Sequence, residues 1–410
     1  MPKLIWPILF LLLAAGGAIQ PRSPQTIAWA APGILFAAMS IAWAAESSQF
    51  FIAQGFALAI LAWMQTLPEF AVEALLAWHR QMPYLFANLT GALRLLTGLG
   101  WPMIYFAAAT VHRKREGRPL RRIVLEGEHS VQVVGLIPPL IYAGLILVKG
   151  TVNLFDAVML IAIYGAYLAL LGKMPPQEEE GIEDLERIPR YIVLSPRPRR
   201  IALITGFFVI GGGLIYISVD PFVGSLFAIS TAIGVPSFVF IQWVAPFLSE
   251  FPEFLSTFYW ARTVRRAPMA LMNIVSSNIN QWTLLVAMLP VVLSLSTRSA
   301  AALPLDQEQF LEVLMTVGQQ LIGLLFLINM ALAWWEAGAL FLLWLVQFVA
   351  SAIPPQTPLA PIAQHVHAVI TAAYFIWSAI ELVRLLAGKR KPAAFTEFAA
   401  MWRTHVSVPK

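Results

Sequence analysis

The sequence predicts an all-α integral membrane protein, an inverted repeat of five plus five transmembrane helices with one extra span at each end, about twelve in all. Three observations predict it. Hydrophobic residues make up 59% of the chain and charged residues only 12%, with mean hydropathy +0.73, which excludes an ordinary soluble domain. Lysine and arginine sort onto alternate loops instead of spreading along the chain. A phrase of helix breakers and polar residues occurs twice, once in each half, inside hydrophobic segments.

Taken in order, residues 1–22 form an extra N-terminal span or signal-like segment, with an apolar run at 4–19 after Lys3. The first inverted repeat occupies 23–172, with spans near 27–52, 56–78, 83–109, 131–148 and 153–172. A cytoplasmic linker fills 173–199. The second repeat, 200–352, has spans near 200–219, 235–262, 270–296, 311–331 and 334–351, with 221–231 as an extension of the first of these. Residues 353–410 add a C-terminal span near 363–387 and a basic tail. Each span is an apolar run able to cross about 30 Å of hydrocarbon, and each is bounded by Pro, Gly or charged residues. Five spans per half is an odd number, so the two repeats enter the bilayer in opposite orientations.

The basic residues test this layout. One side takes Lys3, the loop Arg113–Arg122, the stretch Lys173–Arg200, Arg262–Arg266 and the tail from Arg384. The other side takes Arg22, Arg80, Lys149 and Arg298, giving 22 against 4, and Arg94 is left inside a span. A wrong span count would mix the sides, so the pattern predicts a multi-pass protein of the cell membrane with both termini cytoplasmic. The loop His112–Arg122 and the tail Lys389–Lys391 are thereby explained as cytoplasmic retention charges. The acidic run Glu178–Glu186 lacks the ligand spacing of an EF-hand and reads as solvated linker.

The repeated phrase carries the chemistry. Its later copy is Ser249-Glu250-Phe251-Pro252-Glu253-Phe254, then Trp260-Ala261-Arg262, then the polar run Asn273 to Gln281. The earlier copy is Gln65-Thr66-Leu67-Pro68-Glu69-Phe70, then Trp78-His79-Arg80, then Asn88-Leu89-Thr90-Gly91. Glutamate and first asparagine are 19 residues apart in one copy and 20 in the other. A carboxylate near mid-bilayer costs about 2.5–3.5 kcal/mol on insertion scales, so acids beside proline breaks ask for a partner. Pro252 has no N–H and frees the carbonyl of Leu248, adding an oxygen ligand beside the acids. Glu73 lies one turn beyond Glu69 and Glu250 one turn before Glu253, so each pair is expected on one helix face. Four clustered carboxylates in a low dielectric cannot all stay ionised alone, which favours uptake of a cation or of protons. Asn273, Ser277 and Gln281 recur every four residues on one face, and Asn278 adds a further amide. Glu73 and Asn280 are secondary candidates.

These two segments resemble the alpha-repeats of the sodium/calcium exchanger superfamily of cation antiporters. The pattern of that family is roughly Gly-Thr-Ser-x-Pro-Glu followed by Gly-Asn-x-x-Gly-Ser-Asn-x-x-Asn/Asp. In the second copy Ser249 and Glu250 fall at Thr-Ser, Pro252-Glu253 match Pro-Glu, Asn273 matches the first Asn, Ser277-Asn278 match Ser-Asn, and Gln281 falls at the last position. The first copy keeps Thr66, Pro68, Glu69, Asn88 and Gly91 but has Ala92, Leu93 and Leu96 at the later positions, with Arg94 among them. The resemblance implies a five-plus-five fold in which Glu69 and Glu253 are the principal metal ligands. The loss of oxygen ligands in the first copy implies coupling to protons more than to sodium. Arg94 is expected to pair with Glu69 or Glu253, standing in for a bound cation.

The expected function is a secondary active antiporter exchanging calcium or another divalent cation for protons or sodium by alternating access. The alternative is a non-transporting scaffold or sensor of the same fold, with Arg94 occupying the cation site. Nothing points to an enzyme: there is no phosphate loop, no HExxH and no Ser/His/Asp arrangement, and His365 and His367 fall on different helix faces. The implied partners are the lipid bilayer and inorganic cations, with no nucleic acid and no cofactor beyond the transported ion. Because the chain has no cysteine, single introduced cysteines report topology cleanly. In intact cells, cysteines at Glu116 and Glu179 should resist an impermeant thiol reagent while one at Ser299 reacts. Labelling on the opposite sides would overturn the span count.

Overall fold

The computed structural model describes residues 23–51, 63, 66–174, 182, 185–353 and 357–407. The expected N-terminal span, the start of the 56–78 span and most of the acidic run lie outside the described residues. In chain order the helices are α1 (Ile27–Ser48), α2 (Leu67–Trp78), α3 (Met82–Leu95), α4 (Trp101–Glu116), α5 (Ser130–Gly135) and α6 (Ile137–Lys149). They continue as α7 (Leu154–Leu171), α8 (Arg187–Leu194), α9 (Arg197–Ile233), α10 (Ser237–Ser249) and α11 (Phe251–Arg262). The remainder are α12 (Ala267–Asn280), α13 (Val286–Thr297), α14 (Gln307–Leu327), α15 (Trp334–Ser351), α16 (Ala360–Leu386) and α17 (Ala393–His405). Wide π-turns, Leu96–Gly100 and Gln281–Leu285, join α3 to α4 and α12 to α13, and a third, Phe240–Val244, lies inside α10.

Among the described residues, nine helical stretches are long and apolar enough to cross a membrane. The expected spans 56–78 and 235–262 are absent from that set. Their described parts are α2 and the α10–α11 pair, short helices that meet the chain at its polar breaks. The prolines therefore act as the sequence predicts. At Pro221, where the sequence allows the span to extend to 231, α9 does run on, for 37 residues in all, about 55 Å at helical rise, well beyond a bilayer core. The linker departs from expectation. It contains α8, whose Pro189, Ile192 and Val193 are buried against α1 and α9. The Trp43 indole N–H donates to Glu186 just before that helix, at 3.2 Å.

The fold divides into two units. The first comprises residues 1–88 and 178–253. Its core is the long packing of α9 along α1, centred on Ala37, Ile41 and Ile215. Gly211 permits that approach, because a Cβ there would lie 2.6 Å from the Ile41 side chain and 3.0 Å from the Ala37 carbonyl.

The second unit comprises 89–177 and 254–410. Here α14 packs on α16 and α6, and α13 packs on α7. Two antiparallel strand pairs close its ends. Strand β1 (Arg122–Val124) pairs with β4 (Ala331–Ala333), and β2 (Thr151–Val152) pairs with β3 (Leu303–Pro304).

The C-terminal segment is bound into the second unit. Arg390 donates to Glu381 at 2.7 Å, to Glu336 at 2.6 Å and to the Phe326 carbonyl at 2.7 Å, and the Ala394 N–H reaches the Ile328 carbonyl at 2.9 Å. Of the Lys389–Lys391 cluster read as retention charges, Arg390 is thus a buried ion-pair centre. Arg390→Met leaves the buried Glu336 without its cation and Glu381 with Arg384 alone, and should cost about 3–5 kcal/mol. Thermal unfolding in detergent checks this, and a variant that melts with the wild type would show that the pairs contribute nothing.

Candidate cation site

The first unit gathers the acids. Thr66 stands at the N-cap position of α2 with its hydroxyl donating back to the Trp63 carbonyl at 2.9 Å, and Pro68 occupies the first turn, where a missing N–H leaves no bond unmade. This sets Glu69 in the first turn of α2, where the partial positive charge of the helix end favours a carboxylate. Glu253 has the same place in α11 behind Pro252. Glu250 stands between α10 and α11, outside both helices, and its N–H closes on the Pro246 carbonyl at 2.9 Å. The expected Glu250–Glu253 helix face is therefore replaced by a bend, because Glu250 is itself the break. In the other copy, Glu69 and Glu73 do share the α2 helix.

All four acids are buried: Glu69 and Glu73 at 0% exposure, Glu250 and Glu253 at 2%. Glu69 sits beside Ser249 and within Coulombic range of Glu253, and Glu73 within range of Glu69. Asn88 donates its amide to Glu73 at 3.3 Å. The Ser249 hydroxyl is aimed at the carbonyls of Ala245 and Pro246, at 3.1 and 3.3 Å. Neither oxygen of Glu69 meets a well-oriented donor among the described residues. A buried carboxylate in that condition is costly unless a cation or a proton joins it. Among the described residues no three acidic or imidazole side chains converge as a compact metal cluster. A cation beside Glu69 would thus complete its shell with hydroxyl, carbonyl and amide oxygens, which suits a hard ion.

The other predicted residues belong to the second unit. Ser277, Asn278, Asn280 and Gln281 are buried on α12 and at the start of its π-turn, and Asn273 is half-buried one turn earlier. The Asn278 carbonyl oxygen accepts from Thr97 at 3.5 Å, and Thr97 accepts from Gln320 at 2.7 Å. The two π-turns directly follow the polar patches of the two repeats. Such turns recur at functional sites, and hydropathy gives no sign of them.

Arg94 is fully buried, and the expectation that it pairs with Glu69 or Glu253 is corrected by its ion pair with Glu312 of α14. Its Nε donates to the Thr90 carbonyl at 3.0 Å, and His367 of α16 lies 3.6 Å from the second oxygen of Glu312. Gln319 and Gln320 bond the carbonyls of Arg94 and Leu93, at 3.4 and 3.1 Å. Sequence reading passed over Glu312. The signal was present, since past the polar first turn Glu312, Thr316, Gln319 and Gln320 form one polar stripe on a helix that is apolar elsewhere.

Comparison with known proteins bears on this geometry. The family model for sodium/calcium exchanger protein matches residues 23–173 and 203–352. The crystal structure of the H+/Ca2+ exchanger CAX is 30% identical, with a TM-score of 0.82 over 96% of this chain and 93% of its own. The sodium-calcium exchanger NCX_Mj aligns at 18% identity and TM-score 0.51 over 77% of this chain and 95% of that one. Native YfkE aligns at 13% identity and TM-score 0.57, over 84% and 99%. These last two bear on the fold alone. A comparison with curated protein sequences gave no match. Matched by the exchanger model over most of its length and by CAX over nearly all of it, this multi-pass membrane protein belongs to the sodium/calcium exchanger family.

Proposed function

We propose that the chain exchanges calcium or another divalent cation for protons, by alternating access at Glu69 and Glu253. The observation that carries the reading is Glu69, fully buried, near a second carboxylate and without a well-oriented donor for either oxygen. A divalent cation neutralises two such acids, and protons do the same when the cation leaves. Thr66, Ser249 and the Leu248 carbonyl supply neutral oxygens nearby, and Asn88 orients Glu73. Ala92, Leu93 and Leu96 stand where the family pattern has polar ligands, which disfavours sodium. The 30% identity to an H+/Ca2+ exchanger supports the same counter-ion.

The proposal includes twelve spans, inverted repeats at 23–172 and 200–352, and both termini in the cytoplasm. The strand pairs support it. Between the β1 and β4 loops the chain crosses the proposed spans six times, and between the β2 and β3 loops four times. Even numbers put paired loops on one side. Each pair also joins the third-to-fourth-span loop of one repeat to the fourth-to-fifth-span loop of the other, as a two-fold relation requires.

In proteoliposomes, a proton gradient without sodium should drive divalent flux. Glu69→Gln or Glu253→Gln should lower that flux at least about a hundredfold, since disturbing even the groups behind a metal ligand typically costs about 10–100-fold. Flux driven by a sodium gradient with no accompanying pH change would overturn proton coupling.

Arg94 has a separate part in this reading. Its charge is met by Glu312, so it does not substitute for the cation. Arg94→Gln and Glu312→Gln should each destabilise the protein by about 3–5 kcal/mol, and the double variant should recover much of the loss. Additive losses, together with tighter cation binding in Arg94→Gln, would restore the scaffold alternative.

A further inference from the structure

At the end of α4 the chain turns back on itself. Gly117 adopts φ 70°, its N–H closes on the Arg113 carbonyl at 3.0 Å, and Pro119 to Arg121 return beside the helix toward β1. The Tyr105 hydroxyl donates to the Leu120 carbonyl. The Trp334 N–H donates to the Arg121 carbonyl at 3.1 Å. The returning segment is thus fixed to α4 on one side and to the start of α15 on the other. Between them lies a cavity of about 650 Å³ lined by Tyr105, Phe106, Arg113, Leu120, Arg121 and Trp334.

The lining of this cavity is of two chemical kinds. Phe106 is 43% exposed and Trp334 61% exposed on helices that cross the membrane, so the aromatic part opens to lipid. Arg113 and Arg121 are exposed in the same lining, and neither has a carboxylate partner among the described residues. Glu116, the one acid between His112 and Arg122, lies 3.6 Å from Arg118. The positive-inside rule accounts for basic residues along this loop. It does not account for two unneutralised guanidiniums facing one aromatic pocket.

We infer that this cavity binds an anionic phospholipid, with the phosphate between Arg113 and Arg121 and an acyl chain along Phe106 and Trp334. Guanidinium forks match phosphate oxygens, and the volume is in the range of small-molecule sites. Net lipid charge matters, because the cationic headgroup of a zwitterionic lipid offsets its phosphate.

Native mass spectrometry of the delipidated full chain tests this with phosphatidylglycerol, phosphatidylcholine and inorganic phosphate. Phosphatidylglycerol should bind in preference to phosphatidylcholine. Arg113→Gln with Arg121→Gln should weaken it about thirtyfold, two basic contacts at about fivefold each, while Arg118→Gln leaves it unchanged. Trp334→Ala should weaken both lipids and keep the preference between them. Equal binding of the two lipids by the wild type, which needs no variant to fold, would overturn the site. So would unchanged binding in the double variant, or displacement of the lipid by inorganic phosphate. Because no ion flux enters the measurement, its outcome is independent of the transport reading.

Discussion

A charge inside a bilayer must be matched, and the rest of this molecule depends on how each one is matched. The two units use opposite solutions. In the second, buried acids are given permanent cations: Glu312 has Arg94, Glu336 and Glu381 share Arg390, and Glu381 has Arg384 as well. In the first, Glu69 and Glu253 are placed at helix N-termini, where the backbone offers partial positive charge, and among the described residues neither oxygen of Glu69 meets a well-oriented donor. A fixed partner makes a scaffold rigid. A missing one makes a carboxylate available to a mobile cation or proton, and it is the backbone breaks at Thr66–Pro68 and Ser249–Pro252 that allow this. Without the breaks the helix carbonyls would be saturated, and an acid there would have nothing to share with an ion.

The same distinction explains the irregular backbone. Breaks occur where acids lie, and π-turns occur just beyond the polar patches. A π-turn keeps the chain helical while shifting which side chains share a face. That shift re-aims the side chains on either side of it, so a strict four-residue spacing drawn through Asn273, Ser277 and Gln281 ends where the turn begins.

Much of this was legible in the sequence because the signals are local. The Pro-Glu-Phe breaks, the acids beside them and most spans depend on a few adjacent residues. Failures came where tertiary context decides. The linker 173–199 carries no predicted helix, but α1 and α9 supply an apolar surface for Ile192 and Val193 of α8. Glu312 is 218 residues from Arg94, so no window of sequence contains both. The strand pairs, two and three residues long, fall below any periodicity.

That separation between Arg94 and Glu312 has a consequence for biosynthesis. A ribosome adding about 5–20 residues per second emits the glutamate roughly 10–45 s after the arginine. Throughout that interval α3 holds a guanidinium that the hydroxyl and carbonyl of Thr90 on its own helix can meet but not neutralise. The helix is a provisional span, held at a cost until α14 arrives. A nascent chain that ends before Glu312 carries an unneutralised buried charge, the kind of defect by which membrane quality control tells an unfinished protein from a finished one.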